Sequence, residues 1–360
     1  MPLTDIDGTR LDDSAFYAGK NLIINGAMQV AQRGTSDTAS GYGSVDRFLN
    51  DHGGGGAITQ SQVALTTGSP YDEGFRYFFR QTNTTASTAA GRFMRVLQLI
   101  EAQNMAQSGW NYTSSSSYVT LSFWVRSSVA QEFYGVLNTK DGTSRNYPFS
   151  TGTLVADTWT KVTKTIPGDS NITFNNDTGN GLQVEVIPFY GTDFTDSGVT
   201  VDAWANYAGG SRVPDMTSTW ANTTNATFDV TGVQLEVGAS ASAFEHKSYS
   251  DDLVKCQRYY QVIAQSAMMP ATTSGTTNIV NIGIPLTTSM RAAPTTNSLQ
   301  FVAWFGNSSS SNSTTTMTIT AADPSYGIYT GSVGGYSGLT DNRAAVITPN
   351  NQTLRLSAEL

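Results

Sequence analysis

One cysteine, Cys256, and two histidines, His52 and His246, are all that this 360-residue chain contains of either type. A lone cysteine excludes an intrachain disulfide and a multi-cysteine zinc site. Two histidines leave almost no material for an imidazole metal cluster or a proton relay. Charge is scarce too: Asp, Glu, Lys and Arg make up 13% of the chain, against about 25% in an average soluble protein. The formal net charge of -8 excludes a whole-protein basic footprint for nucleic acid and disfavours an anionic membrane surface. No apolar run approaches the roughly 18 residues that a membrane-spanning helix needs. The opening MPLTDIDGTRLDDSAFYAGK has no basic segment leading into an apolar stretch, so no secretory leader is expected.

What is present points one way. Hydrophobic residues reach 39% and aromatics 11%, and 34 glycines punctuate stretches rich in Ser, Thr and Asn. Hydroxyl and amide side chains on solvent faces, with apolar residues at alternate positions, suit an all-β protein.

The strand YVTLSFWVRSS at 118–128 is the clearest. Val119, Leu121, Phe123 and Val125 share one face, and Thr120, Ser122, Trp124 and Arg126 share the other. Trp124 then lies either under a further layer or exposed as a stacking platform. Further strands are expected at Glu132–Asn138, Thr158–Ile166, Leu182–Tyr190 and Thr227–Val237. Glu132–Asn138 runs into a Lys140-Asp141-Gly142 turn. The last strand changes phase at Gly232, as a β-bulge would. Short strands with regular turns predict a jelly-roll sandwich over 45–247.

Other segments break this pattern. Asn25-Gly26 in NLIINGAMQVAQRG (21–34) predicts a short hairpin or kinked strand. Gly53–Gly56 is a flexible loop; without a following Lys-Ser/Thr it is no phosphate cradle. In MRVLQLIEAQNMAQ, Val96, Leu97, Ile100 and Met105 predict a helix of about ten residues with Glu101 as a solvated acid. Ser250 or Asp251 can cap a helix carrying Leu253, Cys256 and Tyr260 on its apolar stripe, so Cys256 reads as a buried inert thiol. Residues 265–360 return to β patterning, with strands at Ile279–Ile284, Leu299–Phe305, Thr316–Ile319, Arg343–Ile347 and Thr353–Leu356. The Ser308–Ser313 run is expected at a hairpin tip. The organisation is therefore an N-terminal arm and attachment segment (1–44), a jelly roll (45–247), a helical linker (248–264) and a smaller β-sandwich (265–360).

Several blocks resemble bacteriophage tail-fibre and tail-associated virion structural proteins. They are NLIINGAMQVAQRG at 21–34, SVDRF at 44–48, VQLEVGASASAFEHKSYSDDLVKCQRYYQ at 233–261, PLTTSMRAAPT at 285–295 and the terminal SAEL at 357–360. The third is the most specific, because a bulge glycine, a linker and a capped helix occur in order. The resemblance implies a particle component whose central domain is similar to carbohydrate-binding jelly rolls, and it carries over no catalytic residue. Fibres of this kind are usually homotrimers. The acidic arm 1–20, with Phe16 and Tyr17, would dock to other tail or neck proteins.

Three functions are open at this stage. A host-attachment protein would stack sugars on loop aromatics, for which Trp204, Tyr207 and Trp220 in their Gly/Asn/Ser-rich settings are the glycan candidates. A polysaccharide depolymerase would need a carboxylate pair about 5–10 Å apart; Asp193, Asp196 and Asp202 lie in one region but define no pair, so no enzyme is expected. A purely architectural collar, neck or fibre subunit would bind nothing. Asn175-Asn176-Asp177 and Asp5-x-Asp7 offer oxygen ligands for Ca²⁺ but lack the twelve-residue loop pattern, and an Asx-rich turn explains them as well.

Overall fold

The computed structural model describes residues 19–305, 308–313, 315–323 and 328–360. The arm residues Phe16 and Tyr17 and the Asp5/Asp7 pair lie outside them. The chain divides into two units, Met1–Tyr249 and Ser250–Leu360.

The first unit is built from β1 (Ser36–Asp37), β2 (Leu49–Gly53), β3 (Ala57–Ala64), β4 (Tyr77–Thr85), β5 (Phe93–Glu101), β6 (Tyr118–Ser127), β7 (Glu132–Thr139), β8 (Arg145–Thr153), β9 (Thr160–Pro167), β10 (Asn180–Tyr190), β11 (Ala205–Asn206) and β12 (Ala226–Val237). Short helices α1 (Ser69–Asp72), α2 (Ala102–Ala106) and α3 (Thr219–Asn222) interrupt them. The strands form two six-stranded sheets, in the orders β1-β3-β4-β12-β6-β9 and β11-β8-β7-β10-β5-β2. Every named pairing in them is antiparallel. The protein is all-β, and this unit is a jelly-roll sandwich.

Alternation explains the core. Val119, Leu121, Phe123 and Val125 of β6 meet Leu182, Val184 and Val186 of β10 and Phe133 and Leu137 of β7 in one buried cluster. Each such side chain contributes about 1.5–3 kcal/mol by leaving water. Phe133 and Phe228 stack across it with centroids 4.9 Å apart. On the opposite face of β6, Trp124 lies under a further layer with Leu65, Phe75 and Phe78, and its Nε1 donates to Glu73 Oε2 at 3.0 Å.

The expected bulge is present. Gly232 has φ of +63°, and the β12–β6 register shifts between Thr231 and Gln234. Its consequence lies on the other edge. β4 pairs with β12 only over Ala226–Val230. Beyond the bulge that edge is taken by residues 21–26: Leu22 N donates to Leu235 O at 2.9 Å, Val233 N to Gly26 O at 3.0 Å, and Asn21 Nδ2 to Val233 O at 3.1 Å. Asn25 (φ +61°) then donates through Nδ2 to Val30 O and Asp46 O at 3.0 and 2.9 Å. The blocks 21–34, 44–48 and 233–237 therefore interlock. Residues 19–44 are part of the first unit rather than a separate attachment segment. Segment 21–34 is a series of turns, not a hairpin or strand: its internal bonds are short-range, such as those from Met28 N to Asn25 O and from Val30 N to Asn25 Oδ1, and other polar groups of the segment reach β12 and Asp46.

Two further expectations change. The 94–107 helix is strand β5 up to Glu101, with only Ala102–Ala106 helical. Met94, Val96 and Ile100 face the core while Leu97 and Leu99 are buried on the other side, and a strand buried on both faces mimics helical spacing. Glu101 is fully buried and accepts from Gln103 Nε2 at 2.6 Å.

The second unit contains α4 (Tyr249–Gln257) and strands β13 (Tyr260–Ile263), β14 (Met269–Ser274), β15 (Asn278–Gly283), β16 (Thr295–Thr296), β17 (Ser298–Leu299), β18 (Phe301–Phe305), β19 (Ser308–Ser311), β20 (Thr315–Thr316), β21 (Thr318–Asp323), β22 (Ile328–Val333), β23 (Ala344–Pro349) and β24 (Leu354–Ser357). A seven-stranded sheet, β19-β18-β23-β14-β15-β22-β21, accompanies the smaller sheets β13-β24-β16 and β17-β20. Their shared core includes Phe301, Ile347, Ile279 and Leu356, and Cys256 is a buried free thiol. The helix stops at Gln257, so residues 260–263 of the expected helical linker are a strand paired with β24. The serine run is likewise a strand: Ser308–Ser311 pairs with Phe305–Val302.

Candidate functional site

The outer face of the second sheet gathers charge and aromatic side chains. Because Leu182, Val184 and Val186 of β10 point into the core, Gln183 and Glu185 stand on the opposite face. Glu185 pairs with Val136 of β7 on one side and Leu97 of β5 on the other. Two residues along β5, Arg95 reaches diagonally across, its Nη1 3.0 Å from each Glu185 carboxylate oxygen. Its Nε donates to Asp51 Oδ2 of β2 at 2.8 Å. Tyr190 donates its hydroxyl to Glu185 Oε2 at 3.0 Å. Burial pushes the Tyr190 hydroxyl far above its ordinary pKa and the Glu185 charge adds to this. Burial pulls Arg95 down, but Glu185, Tyr190 and Asp51 more than reverse it.

Segment 191–216 closes over one end of this face. Tyr134, Val136, Ile187, Tyr190 and Val213 form a small apolar cluster beneath it, with Phe93 and Phe194 against them. Backbone bonds fix the segment: Arg212 N to Phe194 O and Tyr207 N to Ser144 O, both 2.9 Å. Asn146 Nδ2 of β8 donates to Arg212 O at 2.8 Å. These bonds hold Tyr207 and Arg212 at the rim beside Lys140, the residue following β7. Lys140 Nζ lies 5.3 Å from the Tyr207 ring centroid. Arg212 Cζ lies 5.5 Å from the same ring and 4.9 Å from that of Phe194. Lys140 is half-buried, and burial lowers its pKa; Glu185 opposes this while Arg95 and Arg212 reinforce it. On the adjoining strands Asn138 and Asn146 stand opposite each other. Both are buried, and their Oδ1 atoms accept no hydrogen bond among the described residues.

The three aromatic residues expected from the sequence separate. Tyr207 stays exposed at 37% and belongs to this rim. Trp204, three residues earlier across edge strand β11, turns to the other side: its ring lies 5.1 Å from that of Tyr147, and its Nε1 donates to Pro167 O at 2.7 Å. Trp220 is 0% exposed, with Nε1 bonded to Thr227 O at 3.0 Å. No ligand can reach its ring, and it is corrected here to a core residue.

The aspartates have separate local roles. Asp196 Oδ1 accepts Gly198 N at 2.7 Å, and Asp202 pairs with Lys164. Asp193 is exposed, with its backbone N–H on Ala90 O. The Asx run behaves similarly: Asn175 donates twice to Asp141 at 2.9 Å, and Asp177 Oδ1 accepts Gly179 N. Among the described residues no group of three or more His, Cys, Asp or Glu gathers to hold a metal.

Sequence reasoning missed Arg95, Glu185, Asp51, Lys140 and Arg212. A signal existed for two of them: Arg95 and Glu185 are charges in the middle of otherwise apolar strands, where an isolated charge is rarely left unpaired.

No protein-family model and no curated protein sequence matches the chain. Among solved structures it is similar to the enzymatically active domain of tailspike protein 4 from bacteriophage CBA120, at 10% identity and a TM-score of 0.31; the match covers 61% of this chain and 22% of that one. The chain therefore spans about a fifth of that tailspike structure. A putative sugar-binding protein from Bacteroides thetaiotaomicron matches at 10% identity and a TM-score of 0.33, over 61% of this chain and all of that one. A family 11 carbohydrate-binding module from Clostridium thermocellum, in complex with a mixed-linked tetrasaccharide, matches at 13% identity and a TM-score of 0.27, over 59% of this chain and 98% of that one. At such scores the architecture rests on the strand order described above.

Proposed function

We propose that this chain is a non-catalytic, glycan-binding structural subunit of a bacteriophage particle, a tail fibre or a tail or neck appendage that contributes to host-surface recognition. The observation that carries the binding role is the outer face of the second sheet. There, an arginine and two carboxylates are already bonded to one another, and Tyr207 offers an exposed ring at the rim. Sugars are recognised by polar groups fixed beforehand beside an aromatic surface. On this face Glu185 and Asp51 are committed to Arg95, and Glu132 accepts from the Tyr134 and Ser150 hydroxyls, so none stands free as the proton donor that glycoside hydrolysis needs.

The virion role rests on the resemblance of the blocks at 21–34, 44–48 and 233–261, which also meet in the fold. In this reading the subunit forms a homotrimer and joins neighbouring tail or neck proteins through residues 1–18. Immobilised host-envelope polysaccharide tests the binding role. The purified protein should be retained, and Tyr207→Ala should be retained about tenfold less. A purely architectural subunit would bind in neither form yet still enter particles. Deleting residues 1–18 should abolish incorporation while leaving a folded protein.

A further inference from the structure

We propose that the ligand of the second-sheet face is an acidic saccharide whose carboxylate sits against Lys140 at the Tyr207 rim. This inference rests on the glycan-binding reading above and adds the chemical class of the sugar.

The argument starts from how the charges of this face are partnered. Its carboxylates are Glu185, Asp51 and Glu132, and Glu132 accepts from the Tyr134 and Ser150 hydroxyls. Glu185 and Asp51 are already used by Arg95. Arg212 places its Nε on Gly209 O at 3.1 Å and lies over the Tyr190, Phe194 and Tyr207 rings. Lys140 is different. Its backbone N–H is bonded to Gly181 O, but among the described residues its ammonium has no hydrogen-bond acceptor and no ion-pair partner, only the face of Tyr207.

A half-buried ammonium group with three donors and no acceptor is incompletely satisfied. Other lysines in this unit are better placed: Lys161 pairs with Glu73, Lys164 with Asp202 and Lys247 with Glu245. A carboxylate brought by a ligand would supply the missing acceptor to Lys140. The buried Oδ1 atoms of Asn138 and Asn146, on the strands leading into this corner, are further acceptors still without donors. Sugar hydroxyls or a bridging water can supply those donors.

The test compares each polymer with its own neutral twin. Polygalacturonate, alginate and polysialic acid are offered alongside their carboxyl-reduced forms, which keep the sugar backbone and lose the charge. The full-length protein should bind at least one acid form about tenfold more tightly than its reduced form, with affinity falling as salt is raised. Lys140→Met should bring the two forms within about twofold of each other, and Lys140→Arg should keep the preference. Unchanged thermal unfolding of both variants excludes a folding effect. Equal binding of acid and reduced forms overturns the acidic-ligand inference while leaving the glycan reading intact. Binding of no form, reduced or acid, overturns both.

Discussion

Lys140 and Arg212 approach one ring, that of Tyr207, at 5.3 and 5.5 Å from its centroid. One cation follows a central strand of the second sheet and the other lies in the segment folded over it. Tyr207 therefore joins the sheet to its cover, and it keeps an exposed edge for a ligand. Tyr207→Ala should leave unfolding within about 0.5 kcal/mol of the parent while glycan retention falls about tenfold. Trp220→Ala should do the reverse, costing about 3–5 kcal/mol with binding unchanged in the fraction that stays folded. Calorimetry beside affinity electrophoresis separates the two; a binding defect specific to the Trp220 variant would contradict the assignment of that ring to the core.

A second prediction concerns the outer face of the first sheet. Asp229 is buried and accepts from Arg80 Nε at 2.7 Å and from Arg126 Nη2 at 2.8 Å. Asp229→Ala would leave two guanidinium groups without their partner. Both arginines keep some access to water, so the loss should be about 2–3 kcal/mol rather than the full cost of breaking a buried pair. Urea unfolding measures it, and a change below about 0.5 kcal/mol would show that the carboxylate contributes little.

Gly232 gives a third. Its φ of +63° disfavours any side chain, and a Cβ there would stand 2.7 Å from the Phe75 ring. Gly232→Ala should destabilise the first unit by about 2–3 kcal/mol. It should also speed hydrogen exchange at the Val233 amide, which the bulge presents to Gly26 O. Normal protection at Val233 in the variant would mean that the bulge does not depend on glycine.

The fourth is a pH dependence. Burial raises the Glu245 carboxyl, but the backbone N–H groups of Asn21 and Gly19, with Lys247, outweigh it and hold its pKa below the ordinary 4.5. A carboxyl with a depressed folded-state pKa stabilises the fold at pH above its ordinary value, and that contribution fades as pH falls through the lower folded value. Proteolytic nicking near residue 19 should thus be slow at pH 7 and faster near pH 3, whereas Glu245→Gln should be nicked quickly at both. The trend is read with an acid-stable and a neutral protease, each calibrated on an unfolded control.

Much of the fold was legible because period-2 patterning survives wherever one strand face meets water. β6 and the Gly232 bulge could be read directly. β5 could not, since Leu97 and Leu99 are buried on the face that should have been polar. Segment 21–34 has strand-like alternation, but its partner edge on β12 lies more than two hundred residues away, beyond the reach of local pattern. The site was the least legible part. Asp51, Arg95, Lys140 and Glu185 are dispersed in sequence and become neighbours only through the order β2-β5-β10-β7. Tyr207 was identifiable as a loop aromatic, but nothing local distinguished it from Trp220, whose burial is decided by tertiary packing.

The Glu245 carboxylate receives the amides of both Gly19 and Asn21, at 2.6 and 2.8 Å, and Lys20 Nζ bonds to Ser242 Oγ and Ala243 O. The polypeptide thus enters and leaves the sandwich at one knot. Tension applied between these two points would be borne by that knot alone, and the ladders of the twelve strands would be spared. A sandwich closed in this way keeps its strand ladders, and the face they build, out of the path of a pull on its two ends.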